Sequence, residues 1–150
     1  MIASNVVEDA TNFRPQVVEA VSHRLGEPLI GQTQRQYKGH GDNCRVVIAV
    51  SKAYANTHNT HYWFAFNDID AEYLGAVTDG YAAFGCGSAD HIIMLPFQTL
   101  QPLLQKMELT TSSVHPYRHV VIYFIRGQWQ VGQPTIGNLH DVTEYLLPIG

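Results

Sequence analysis

Arg45-Val46-Val47-Ile48-Ala49-Val50-Ser51 is apolar at consecutive positions, not alternate ones, and most of it is β-branched. A stretch of that kind is a strand covered on both faces, so it belongs in the middle of a sheet. His119-Val120-Val121-Ile122-Tyr123-Phe124-Ile125 repeats the pattern and is expected to be central as well. The elements around these two strands decide the class. Val17, Val18, Val21 and Leu25 recur at helical spacing, with Asn12 as a cap, Pro15 in the first turn and Gly26 as the stop. Gln32–Tyr37 reads as a polar edge strand, and Lys38 to Asn43 as a turn rich in Gly, Asp and Asn.

His61-Tyr62-Trp63-Phe64-Ala65-Phe66 follows as an aromatic strand, and Asn67 or Asp68 caps a short helix closed by Gly75. Tyr81–Cys86 and His91–Leu95 flank Gly87-Ser88-Ala89-Asp90 as a hairpin. Leu100, Leu103, Leu104 and Met107 mark a second helix starting near Thr99. Asp141 and Glu144 have capping-box spacing and open a last helical turn. Residues 1–150 therefore form a single α+β domain. Its mixed or mostly antiparallel central sheet has about five to seven strands, and two main helices cover part of it.

Composition narrows the class further. Hydrophobic residues make up 45% and charged residues 15%, which excludes a disordered chain. No apolar run approaches the roughly 20 residues that span a membrane, so no membrane association is expected. Met1 to Asn5 has neither a basic start nor an apolar core, and the two cysteines, Cys44 and Cys86, form no CxxC pair. A cytoplasmic setting follows as the expectation. The net charge of −4 is unevenly distributed. Residues 53–100 lack Lys and Arg and carry Asp68, Asp70, Glu72, Asp79 and Asp90, whereas residues 14–52 hold Arg14, Arg24, Arg35, Lys38, Arg45 and Lys52. Complementation of the two regions within one fold is the favoured reading, and an anionic partner is the alternative.

Four groups of residues bear on chemistry. His58 and His61, and His115 and His119, have metal-site spacings. They fall in loops and strands without the Glu of a zinc protease, so no metal site is expected. His119 is the histidine singled out, as a half-buried imidazole needing partners. Glu19, Asp42 and Lys52 resemble the carboxylates and lysine of a Mg-dependent nuclease of the PD-(D/E)XK type, but Val50 stands where the second strand carboxylate belongs. Cys86 lies between Gly85 and Gly87 with no neighbouring base, and is read as structural. Finally, alternation puts Trp63 and His61 on the face opposite Tyr62, Phe64 and Phe66. If that face is open, the indole is a stacking platform for a nucleobase, and Arg35, Tyr37 and Arg45 on neighbouring strands supply phosphate contacts. If helices cover both faces, Trp63 is core.

The pieces Tyr62-Trp63-Phe64-Ala65-Phe66, Gly85-Cys86-Gly87-Ser88, Leu95-Pro96-Phe97, Arg118-His119-Val120-Val121-Ile122 and Asp141 to Leu147 together resemble a family of small prokaryotic α+β domains. That resemblance carries no established activity. It implies an association with restriction or defence modules, and through them a DNA-binding or other nucleic-acid context. Arg118 departs from the family pattern, which has an aromatic before the histidine.

The functional expectation is a non-catalytic recognition module without a cofactor. It would bind nucleic acid or a nucleotide-like ligand through Arg35, Tyr37, Arg45, His61, Trp63 and His119. The alternatives are the nuclease reading, with Mg as its cofactor, and a protein-binding inhibitor or assembly subunit whose protein partner meets the acidic stretch.

Overall fold

The computed structural model of the chain describes residues 12–41, 43–55, 60–133 and 137–148. In chain order its elements are α1 (Arg14–Leu25), β1 (Ile30–Gly31), β2 (Gln36–Lys38), β3 (Cys44–Ser51), β4 (Tyr54–Ala55), β5 (Thr60–Asn67), α2 (Asp68–Gly75), β6 (Asp79–Cys86), β7 (Ile92–Pro96), α3 (Phe97–Leu104), β8 (Leu109–Thr110), β9 (Tyr117–Ile125), β10 (Gln128–Gln133) and β11 (Asn138–Asp141). A 3₁₀ turn over Thr143–Tyr145 follows, where Asp141 and Glu144 suggested a helical turn. The α+β class expected from the sequence is the one observed.

The strands divide between two sheets, not one. Sheet A runs β1-β2-β3-β6-β7, and sheet B runs β11-β10-β9-β5-β4, with β8 pairing the start of β9. β3 is thus central to the first sheet and β9 to the second. The β3–β6 pairing is parallel, because the chain leaves β3 for β4, β5 and α2 before returning as β6. The β6–β7 hairpin is antiparallel, as its short connection requires.

Two apolar layers explain the arrangement. Between the sheets, Val47, Ala49 and Phe84 meet Phe64, Phe66, Val120 and Ile122, with the Phe64 and Phe84 rings 4.9 Å apart. Leu74 of α2 and Phe97, Leu100 and Leu104 of α3 belong to this layer. On the other side of sheet A, Val17 and Val21 of α1 seal Val46, Ile48, Ala83 and Ile92. Each buried Val, Leu, Ile or Phe among them contributes about 1.5–3 kcal/mol relative to exposure. α1 begins with Pro15 in its first turn and ends at Gly26, whose φ of 75° is the left-handed cap that glycine adopts at little cost. α2 is capped by the Asn67 side chain, which accepts from the Asp70 amide.

β3 is consequently covered on both faces, as its sequence predicts. β9 is not. Val120 and Ile122 are buried, whereas His119, Val121 and Tyr123 are only half-buried on the far side of sheet B. α1 lies against sheet A, and α2 and α3 pack into the layer between the sheets. No described helix covers the outward face of sheet B.

Candidate functional site

The outward face of sheet B is built from directly opposed pairs. His61 faces Tyr123, Trp63 faces Val121 and Ala65 faces His119 across β5 and β9. Opposed residues of an antiparallel pair share a face, so these six project together. Tyr54 extends the row opposite His61, and Thr110 extends it opposite Tyr117. Trp63 is 37% exposed, against 2% for its neighbour Phe64 on the core side.

Hydrogen bonding fixes the centre of this face. The Trp63 indole Nε1–H donates to His119 Nδ1 at 3.0 Å, and His119 Nε2 lies 2.7 Å from Thr110 Oγ1. An indole nitrogen only donates, so Nδ1 must be the acceptor. The neutral imidazole therefore carries its proton on Nε2 and donates to the Thr110 hydroxyl oxygen. Tyr117 completes the group, its ring 5.2 Å from His119 and edge-on to Trp63 at 6.4 Å. Beside it runs a second aromatic column. Tyr54 stacks on His61 at 5.7 Å, and His61 meets Tyr123 at 5.5 Å. The Lys52 ammonium sits 5.3 Å from the centre of the Tyr54 ring. Burial pushes the Tyr123 phenol up, which keeps it uncharged. His61 Nδ1 is buried without a hydrogen-bond partner among the described residues.

His61, Trp63 and His119 thus come together as the sequence suggested, but the other three expected site residues do not join them. Arg35 and Arg45 belong to the sheet A side, and both guanidinium groups are engaged within the fold. Arg35 holds Asp70 through Nε at 2.9 Å and Nη2 at 2.7 Å, and Nη2 also donates to the Ala65 carbonyl at 2.7 Å. Arg45 donates to the Tyr73 carbonyl and lies 4.6 Å from the centre of the Tyr73 ring. Tyr37 packs with the layer under α1 and donates its hydroxyl to the Gln34 carbonyl. The face is therefore aromatic without the two arginines, and Arg35–Asp70 shows basic and acidic segments meeting inside one fold.

Of the nuclease residues, Glu19 and Lys52 lie on different elements. Asp42 lies outside the described residues, as does His58. Glu19 is exposed on α1, where it lines a groove of about 460 Å³ with His23, Arg24 and Asp90, while Lys52 sits over Tyr54 on sheet B. Among the described residues no three His, Cys, Asp or Glu side chains cluster as metal ligands. His115 faces Asp68 at 3.7 Å and not His119. Cys86 is fully buried, and burial pushes its thiol far up, away from the thiolate a nucleophile needs. No described helix is long and apolar enough to cross a membrane.

Tyr54, Thr110, Tyr117 and Tyr123 are members of this face that the sequence reading did not select. For Tyr117 and Tyr123 the signal is the period-two row Tyr117, His119, Val121, Tyr123, in which most side chains carry a polar tip. No protein family, curated protein or solved structure matches this chain.

Proposed function

We propose that this protein is a non-catalytic recognition module that takes a nucleobase of single-stranded nucleic acid, or of a nucleotide-like ligand, on the outward face of sheet B. The observation that carries the reading is the partly exposed indole of Trp63, anchored by His119 on a sheet face that no described helix covers. A flat π face open to solvent is what base stacking uses, and stacking tolerates any base. Tyr117 lies edge-on to the indole, Tyr54 stacks on His61 of the same face, and Lys52 is a cation beside that ring. The restriction or defence setting implied by the family resemblance is in keeping with a nucleic-acid ligand.

The test is titration of a short labelled oligothymidylate at low and high salt, with Trp63→Ala as the comparison. Stacking on Trp63 predicts a loss of roughly fivefold or more in that variant. One lysine neutralising one phosphate predicts a shallow salt dependence, with a slope of log K on log salt near about −0.7. Absence of binding at low salt, or equal binding by Trp63→Ala, overturns the reading.

A further inference from the structure

We propose that Thr110 and His119 are positioning residues that hold the Trp63 indole in its platform orientation only while His119 is neutral, so that occupation of the face falls as pH falls. The inference rests on the base-stacking reading above and adds its regulation. It follows from the donor and acceptor count along Thr110–His119–Trp63.

The indole Nε1–H has no acceptor capacity, so the 3.0 Å bond to Nδ1 exists only while Nδ1 keeps its lone pair. Nε2–H is held at 2.7 Å by Thr110 Oγ1, which fixes the ring plane and presents Nδ1 to the indole. A second proton has only Nδ1 to occupy. There it would set N–H against N–H, and the partly exposed indole would swing away. The Thr110 hydroxyl bonds His119 and not the indole, which is why it counts as a positioning residue.

The surroundings leave few competing titratable groups. On β5, Trp63 and Ala65 face His119, and His61 is engaged between Tyr54 and Tyr123. On β9, Tyr117 lies 5.2 Å away, and the Arg118 guanidinium donates to the Met107 carbonyl on the opposite side. Beside β8, Glu108 accepts from the His119 amide with its backbone carbonyl and turns an exposed side chain to solvent. No ion pair holds His119 in its charged form among the described residues.

Two measurements on the whole chain test the proposal from about pH 8 to pH 5, an interval that spans imidazole protonation. The first follows the Trp63 indole N–H resonance of the free protein, assigned with Trp63→Phe. The second follows binding of the labelled oligothymidylate. The expected result is a shift of the indole resonance on acidification together with a loss of binding of roughly fivefold or more, the scale of one stacked base. His119→Asn, whose amide oxygen stands near the Nδ1 position and takes no proton, should bind with no pH dependence. Thr110→Val should weaken binding at pH 8, and Thr110→Ser should restore it. An indole resonance that does not move, or a His119→Asn variant that keeps the wild-type pH profile, overturns the proposal. If oligothymidylate fails to bind at every pH, the base-stacking reading falls by itself. The indole shift and its absence in His119→Asn would then still establish that His119 holds the indole in a pH-dependent way.

Discussion

Replacing Arg35 by Ala should destabilise the fold far more than loss of a surface arginine would. Asp70 is 2% exposed, and Arg35 supplies two of the hydrogen bonds to its Oδ2. The same guanidinium satisfies the Ala65 carbonyl, which links β5 of sheet B to the sheet A side. After truncation, the donor left to Asp70 Oδ1 among the described residues is Gln36 Nε2 at 3.4 Å, and Ala65 loses this donor. Removing one partner of a buried ion pair costs about 3–5 kcal/mol. The Arg35 side chain is 29% exposed, so water can partly replace it and the lower end, about 3 kcal/mol, is expected. For a chain of this size that is a fall in Tm of roughly 6–12 °C. Urea unfolding is the assay, and the midpoint should fall without a change in slope. Arg35→Ala/Asp70→Asn should recover part of the loss, because the amide removes the stranded charge. A loss of less than about 1 kcal/mol, the scale of an exposed pair, would refute the reasoning.

Gly132 has φ of 132°, and a Cβ there would lie 1.9 Å from the Asn138 carbonyl oxygen. Gly132→Ala should therefore break the β10–β11 pairing, visible as faster amide exchange in Asn138–Asp141 with β5 and β9 unaffected. Burial pushes both thiols up, and for Cys44 the nearby Glu27 and Asp79 add to the effect. A raised thiol holds less thiolate at neutral pH, so reaction should accelerate as pH rises. A maleimide should modify half-buried Cys44 slowly at pH 7 and faster at pH 9, and reach Cys86 only after unfolding, as peptide mass mapping would show.

What could be read from the sequence was what is settled locally. α1 between Pro15 and Gly26, α2 under Asn67 and the β6–β7 hairpin each depend on residues a few positions apart. The division into two sheets depends on what covers β3 and β9, and the two stretches look alike as strings. β3 has aliphatic side chains on both sides and receives α1; β9 carries His119 and Tyr123 outward, side chains that tolerate both burial and water. Trp63 was ambiguous for the same reason. The arginines misled differently. A basic segment says nothing about where each guanidinium ends, and Arg35 ends on Asp70, a buried carboxylate to which it gives two short hydrogen bonds.

The composition of the face also bounds its affinity. The Trp63 indole carries no charge, burial keeps Tyr123 protonated, and among the described residues Lys52 is a cation placed against the row. The chain as a whole carries −4, so long-range steering does not favour a polyanion. Stacking must then supply most of the binding. At about 1–3 kcal/mol per base, two bases yield no more than about 6 kcal/mol. That corresponds to a Kd no tighter than about tens of micromolar for one module. Calorimetry with a dinucleotide and with a longer strand separates the cases. The dinucleotide should bind at or weaker than this limit, and a longer strand should gain only where it reaches a second copy of the module. Nanomolar binding of a dinucleotide would mean that contacts other than these rings dominate, and the aromatic face would lose its claim to be the site.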